Sequence, residues 1–153
     1  MTSAYRAKAR ARVKHPAWFR DYARLEADAV ELCYYSNHTS CVVEEAALRR
    51  PIGEWDVHKS QLAELIRLGR LRNVELQVMP LDRPENAGMG GPFILLTPEG
   101  RPQVGYLEVQ NISRLITDLA EVRNLAARYG CVRAQALPPR ESLILIEGLL
   151  EQR

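Results

Sequence analysis

The chain has 153 residues, the usual size of one domain, and its 46% hydrophobic and 26% charged residues are an ordinary globular composition. Its formal charge of only +2 gives no bulk argument for or against binding to nucleic acid. The sequence contains neither a run of about 18 apolar residues nor the apolar core of a signal peptide, which excludes a classical secretion signal and a membrane span and predicts a cytoplasmic protein.

Residues 1–15 form a basic arm in which arginine and lysine alternate with small residues and no acidic residue occurs before Asp21. Such an arm either contacts phosphates or acidic lipid, or is a flexible, solvated terminus, and the general behaviour of chain termini favours the second interpretation. We therefore divide the chain into a flexible arm at residues 1–15 and a single α/β domain at residues 16–153.

The first half of the domain predicts a β-α-β unit after an N-terminal helix. Apolar residues at helical spacing predict an amphipathic helix over Pro16–Cys33, and a polar turn follows at Ser36–Ser40. We expect a strand over Cys41–Leu48 and a helix capped by Asp56 and ending near Gly69. Val74–Val78 alternates with a period of two residues, as a half-buried strand does, so a crossover between parallel strands is expected.

The second half predicts a β-hairpin followed by two helices. A glycine-rich loop at Asn86–Pro92 precedes strands at Phe93–Thr97 and Gln103–Val109, whose short connection predicts antiparallel pairing. Asp118 and Glu121 have capping-box spacing at the start of a helix that we expect to end at Gly130, and a last helix begins at Pro139. The predicted fold class is α/β, with a mixed sheet of about four strands flanked by helices.

The glycine-rich loop is the first candidate for a binding site. It lacks the Lys-Ser/Thr pair of a P-loop and the spacing of a dinucleotide-binding loop, and a strand follows it where those motifs have a helix. Either it is a structural turn, or it lines a ligand pocket. In the second case the ligand-binding residues are Gly88, Met89, Gly90, Gly91 and Phe93.

The second candidate site consists of charged residues on two predicted strands. Glu45 and Glu108 would form a carboxylate pair near Arg49, with Tyr106 in the same pocket, if both strands face one cleft. Paired carboxylates with separated pKa values suit acid–base catalysis. The alternative is an ion pair that only orients the strands, and the sequence fixes no distance that would decide between the two.

Other chemistry finds little support in the sequence. The three histidines and the three cysteines (His15, His38, His58; Cys33, Cys41, Cys131) have no metal-ligand spacing, so we predict no metal site, no cofactor and reduced, structural thiols. No serine lies in a nucleophile elbow, and no helix-turn-helix, zinc finger or aromatic RNA-binding motif is present.

Several segments, in the same order, resemble the C-terminal effector domain of actinobacterial XRE-type helix-turn-helix regulators, an antitoxin-like group found in Streptomyces and its relatives. These segments are Trp18–Leu32, Glu45–Gly53, Gln61–Leu62, Asn73–Pro80, Ala87–Phe93, Tyr106–Glu108 and Ala136–Ser142. The resemblance implies a domain that senses a partner protein or a ligand, and it brings no catalytic residues to carry over.

The chain departs from the family pattern in ways that shape the functional hypotheses. The DNA-binding module is missing, and only Tyr34–Ser40 remains of the stretch that follows the first helix in the family. Pro138 also replaces a polar N-cap. We expect the missing stretch to leave an open, sticky face. Three hypotheses follow. The first is a stand-alone regulatory domain, expected to be a homodimer, that binds a small molecule or a partner protein. The second is a repurposed enzyme of secondary metabolism that uses Glu45, Glu108, Arg49 and Tyr106, and the third is a nucleic-acid binder that uses the basic arm.

Overall fold

The structure, a computed structural model, describes residues 38–51, 53–98, 100–109 and 112–152. The elements are, in chain order, β1 (Thr39–Glu44), α1 (Glu45–Arg49), α2 (Trp55–Gly69), β2 (Val74–Met79), β3 (Phe93–Leu96), β4 (Val104–Val109), β5 (Ile112–Ile116), α3 (Leu119–Gln135) and α4 (Pro139–Glu151). The predicted α/β class is confirmed. The basic arm and the helix predicted at Pro16–Cys33 lie outside the described residues.

The predicted β-α-β unit is present, with β1 parallel to β2 from the pair Thr39 and Val74 to the pair Glu44 and Met79. Helices α2 and α4 pack against one face of these strands. The buried residues of this main core are Leu48, Leu62, Ile66, Leu76, Val78, Ile146 and Leu149. Strand β2 is almost entirely buried rather than half-buried, because α3 contacts the opposite face, where the Gln77 side chain donates to the Leu137 carbonyl oxygen (2.9 Å).

The second edge of β2 is hydrogen-bonded to the link between α3 and α4 rather than to another strand. The Leu137 amide donates to the Val78 carbonyl oxygen (2.9 Å), and the Val78 amide donates to Oγ of the fully buried Ser142 (2.9 Å). A buried strand edge must satisfy its backbone groups, so these bonds make a parallel pair of only two strands possible.

The remaining three strands form a separate antiparallel sheet in the order β3-β4-β5. Its inner face contributes Phe93, Leu95, Leu107 and Ile116 to a second core with Val122 and Leu125 of α3. The Leu125 side chain of α3 packs so closely on β4 that a Cβ atom at Gly105 would lie 2.7 Å from its Cδ1 atom. The described residues therefore hold five strands in two sheets where we predicted about four in one mixed sheet, and β5 was not predicted.

Helix α3 joins the two sheets. The Asp118 side chain accepts hydrogen bonds from the amides of Ala120 (3.0 Å) and Glu121 (2.9 Å), which confirms the predicted cap. The predicted end at Gly130 is wrong. The helix continues to Gln135 because its last turns also bury Val132 and place Arg133 against β2, where Arg133 Nε donates to the Gln77 side chain (3.2 Å).

Three local predictions need correction. The strand predicted over Cys41–Leu48 ends at Glu44, because residues 45–49 are strong helix formers with an ion pair at i, i+4 spacing. The predicted turn at Ser36–Ser40 already belongs to β1 from Thr39 onward. Helix α2 begins one residue earlier than Asp56, with Glu54 as its N-cap residue, so Asp56 lies in the first turn.

Candidate functional site

The carboxyl ends of β1 and β2 lie side by side and form the candidate site. Strand β1 runs directly into α1 at Glu45, and β2 runs into the loop 80–92, which contains the glycine-rich segment. Ligands of open α/β sheets bind at the carboxyl ends of the strands, so this edge is where the fold favours a site.

Glu45 is the most constrained charged residue of this edge, and its carboxylate binds two other segments. Its Oε1 atom accepts from Nε (2.7 Å) and Nη2 (2.6 Å) of Arg49, one turn along α1. Its Oε2 atom accepts from the backbone amide of Leu81 (2.9 Å), just beyond β2. We call this arrangement of Glu45, Arg49 and Leu81 the Glu45 clamp, and it ties α1 to the exit of β2.

The clamp keeps Glu45 ionised. Burial alone would raise the pKa of this carboxyl group, but the Leu81 amide and the Arg49 guanidinium group outweigh burial and lower the pKa below its usual value. A carboxylate with a lowered pKa and both oxygen atoms engaged is a poor general acid at neutral pH. The alternative interpretation from the sequence, an ion pair that orients neighbouring segments, describes this geometry.

The backbone amides of the glycine-rich loop bind atoms of the protein itself. The Ala87 amide donates to the Gln135 side chain (2.9 Å) and the Gly88 amide to the Asn86 side chain (2.8 Å). The Gly91 amide donates to the Gly88 carbonyl oxygen (3.2 Å), and Gly91 has a φ of 106°, which favours glycine. These amides are therefore engaged within the protein, in turns and in a contact with α3.

The loop rests on α3 and comes close to the end of β1. A Cβ atom at Gly88 would lie 3.7 Å from Oε1 of Glu44, and one at Gly90 would lie 3.3 Å from Nη1 of Arg128. The structure thus brings the glycine-rich loop and the Glu44–Glu45 corner to one edge of the molecule. Arg128 and Gln135 were missed by the sequence analysis, because they lie more than 35 residues from the loop and carry no motif.

The other predicted site residues lie on the antiparallel sheet. Phe93 is half-buried in the second core, with its ring edge-on to that of Tyr129 (6.3 Å between centroids). Tyr106 lies in β4, paired with Ile94 of β3 and Leu115 of β5. Glu108 is also in β4, and its side chain lies outside the described part of the structure. The structure thus brings together Glu45 and Arg49, and it places Tyr106 on the other sheet.

Two apolar side chains of the loop 80–92 point into solvent. Met89 is 72% exposed and Leu81 is 58% exposed, although the Leu81 backbone is held by the Glu45 clamp. Binding residues occur on loops more often than on other elements, so these two side chains are available for contact with another molecule. Leu81 follows Pro80 in the sequence with no pattern that would have indicated its exposure or the hydrogen bond from its amide to Glu45.

A polar network between β1, β2 and α3 was also missed. The Tyr129 hydroxyl group donates to Ser40 Oγ (2.8 Å), and Arg133 forms an ion pair with Glu75. Burial raises the pKa of Tyr129 against the lowering effects of Ser40 and Arg133, so the phenol stays neutral and able to donate. These contacts join residues that are about 60 or more positions apart and hold the end of α3 on the parallel sheet.

Within the described ranges, no group of three or more histidine, cysteine or acidic side chains is arranged to hold a metal ion. Two shallow grooves are lined by other residues than the predicted ones. One lies between α2 and α4 near the Arg70–Glu147 ion pair, and the other lies where α3 meets the antiparallel sheet, near Arg128. No helix in the described part of the chain is long and apolar enough to cross a bilayer.

Comparison with known proteins gives one match. A family model described as "Domain of unknown function (DUF5753)" matches residues 35–148, which is most of the chain and includes every described strand. No curated protein and no solved structure matches the sequence.

Proposed function

The chain belongs to the DUF5753 family, and from this premise we propose that it is a regulatory domain that binds a partner protein or a small ligand and does not catalyse a reaction. One observation carries the proposal. At the carboxyl ends of β1 and β2, the protein itself engages the Glu45 carboxylate, and the adjoining loop presents the exposed apolar side chains of Leu81 and Met89 to solvent.

The state of Glu45 supports binding over acid–base chemistry. A catalytic carboxyl group needs an oxygen atom that can reach substrate, whereas Glu45 is buried and both of its oxygen atoms accept hydrogen bonds from the protein. The enzyme alternative with Glu45, Glu108, Arg49 and Tyr106 would require the clamp to open. It also requires Tyr106, on the other sheet, to reach the same substrate.

The loop supports a protein or ligand contact. Leu81 and Met89 lie on one connection of 13 residues between two sheets, and hydrogen bonds to α3 and α1 hold its backbone. A contact surface with a fixed backbone loses little conformational entropy on binding. We assign Gly88, Met89, Gly90 and Gly91 to this surface, with Met89 as the main apolar contact.

The resemblance to effector domains of actinobacterial XRE-type regulators supports the regulatory part of the proposal. By this proposal the domain acts in the cytoplasm as a homodimer or with a companion protein. It does not read DNA sequence by itself. A gel shift with generic DNA at moderate salt is expected to show little binding, and tight, sequence-selective binding would contradict the proposal.

Native mass spectrometry tests the proposal directly. We expect the wild-type protein to carry the mass of a second copy or of a co-purified small molecule, and Met89→Glu to lose most of this species. Leu119→Glu is the matched control, since Leu119 is a similarly exposed apolar residue outside the loop. Equal loss in both variants would refute a binding role for the loop. A bare monomer in the wild type would refute self-association and binding of a co-purified small molecule.

A further inference from the structure

The outer face of the antiparallel sheet is largely apolar. Strand alternation places Phe93, Leu95, Leu107 and Ile116 in the second core. The apolar residues that alternate with them point the other way, and we call them the outer sheet face: Ile94, Leu96, Val104, Tyr106 and Leu115. On the same side, the register places Glu108 opposite Ser113 at one end of the sheet. Ile94 and Leu96 are exposed, and Leu115 is 63% exposed. A sheet with one face on a helix and a largely apolar second face is typical of a strand layer between two helical layers.

We propose that residues 16–33 of the same chain pack on the outer sheet face as an amphipathic helix. The apolar side chains of this segment recur at helical spacing and would form one stripe: Trp18, Tyr22, Leu25, Ala29 and Leu32. With this helix packed there, the antiparallel sheet would be the middle layer between the helix and α3. This inference concerns a different surface from the loop 80–92 and does not depend on the proposed function.

The point where the described chain begins fits this occupant. Strand β1 starts at Thr39, and the next residue, Ser40, accepts a hydrogen bond from Tyr129. The Tyr129 ring touches Phe93 at the start of β3, so the beginning of β1 is one side chain away from β3. Strand β3 is an edge strand of its sheet. The six steps from residue 33 to residue 39 span up to about 20 Å, enough to pass around that edge.

The size of the outer sheet face fits one helix better than a second copy of the chain. Three strands about 4.8 Å apart make a face about 14 Å wide, and a helix with its side chains is about 10–12 Å across. Strand β3 has four residues, so the length shared by all three strands is about 13 Å, or between two and three turns of a helix. The outer sheet face has only a handful of apolar residues, whereas a stable dimer interface involves about 20–30 residues on each partner.

Photo-crosslinking tests this packing in the full-length chain. A benzoylphenylalanine residue replaces Leu115, and a matched control replaces Ile144 of α4, which is 58% exposed and outside the antiparallel sheet. Equal amounts of ¹⁵N-labelled and unlabelled chain are mixed before illumination, so that peptide masses separate links within a chain from links between chains. We expect links from position 115 to residues 16–33 within one chain, and none to this segment from position 144.

Other crosslinking results overturn the proposal. Links between two copies would assign the outer sheet face to self-association, and links from position 115 that never reach residues 16–33 would leave the segment elsewhere. Hydrogen exchange supplies a second measurement that needs no crosslinker. Leu115→Glu should speed exchange of the amides in residues 18–32 by about tenfold or more, whereas Ile144→Glu should leave them unchanged. Equal exchange of these amides in wild type and Leu115→Glu refutes the packing.

Discussion

Glu45→Gln changes the Glu45 clamp without changing its shape. The glutamine amide keeps one oxygen acceptor, but its NH₂ group must face either the Arg49 guanidinium group or the Leu81 amide, both of which are donors. One side of the clamp is therefore lost, and a buried donor faces another donor. The substitution separates the structural role of the charge from the volume of the side chain.

The expected cost follows from the burial of the two partners. The Glu45 side chain is only 8% exposed, so its hydrogen bond from the Leu81 amide contributes about 1.5–3 kcal/mol, as bonds to a charged group do. The Arg49 side chain is 45% exposed, and solvent reduces that part of the clamp to below about 1 kcal/mol. We expect Glu45→Gln to lower the free energy of unfolding by about 2–3 kcal/mol.

Urea unfolding followed by circular dichroism measures this cost. With a slope of about 1–3 kcal/mol per molar urea, the midpoint should fall by about 0.7–3 M. Glu64→Gln is the matched control, because Glu64 pairs with Arg67 on the surface of α2 at i, i+3 spacing. That variant should change the free energy of unfolding by less than about 0.5 kcal/mol.

The difference between wild type and Glu45→Gln should depend on pH. The pKa of Glu45 is lowered in the folded chain, so the unfolded chain binds more protons and the stabilisation is present above the unfolded pKa of about 4.3. It should be lost as the pH falls through the lower, folded pKa. If Glu45→Gln costs no more than Glu64→Gln at pH 7, or if the difference persists unchanged into acid, the clamp does not stabilise the fold.

Four further substitutions test the packing. Gly105→Ala should lower the free energy of unfolding by up to about 1 kcal/mol, because the new methyl group displaces Cδ1 of the Leu125 side chain. Gly130→Ala, with open space around it in the same helix as Leu125, should raise it by about 0.5–1 kcal/mol, and a rise for both would contradict the close contact between Leu125 and Gly105. Ser142→Ala should lower the free energy of unfolding by about 1–3 kcal/mol, since a buried β2 amide loses its acceptor, and an unchanged urea midpoint would refute this. The difference between the absorbance titrations of wild type and Tyr129→Phe should show a phenol that ionises above pH 10, and ionisation at or below pH 10 would count against its burial. The stability that this phenol contributes should be lost as the pH rises through its raised pKa.

Local patterns in the sequence were enough for most elements. The alternation at Val74–Val78 predicted β2, and the Asp118 cap predicted the start of α3. Helix α1 was mistaken for the end of a strand although its signal was present, because the spacing of Glu45 and Arg49 is that of a helical ion pair. A run of only five residues was too short for its period to be recognised.

The division into two sheets and the clamp could not be predicted in the same way. The Leu81 amide lies 36 residues from the carboxylate that it binds, and Ser142 lies 64 residues from the β2 amide that it satisfies. Single residues at such separations leave no periodic signal. The sequence placed Glu45 and Arg49 near each other but could not show that the backbone beyond β2, rather than Glu108, engages the second oxygen atom of the carboxylate.

The double role of α3 makes the two sheets inseparable. Its Val122 and Leu125 complete the core of the antiparallel sheet, and its Arg133 reaches the polar face of the parallel pair. A polypeptide cut within residues 80–92 would leave the parallel pair on one fragment and the helix that it needs on the other. Neither fragment should therefore fold to its native structure alone, and the two should regain that structure only when mixed. The domain should accordingly be inherited as one unit and not recombined as two halves.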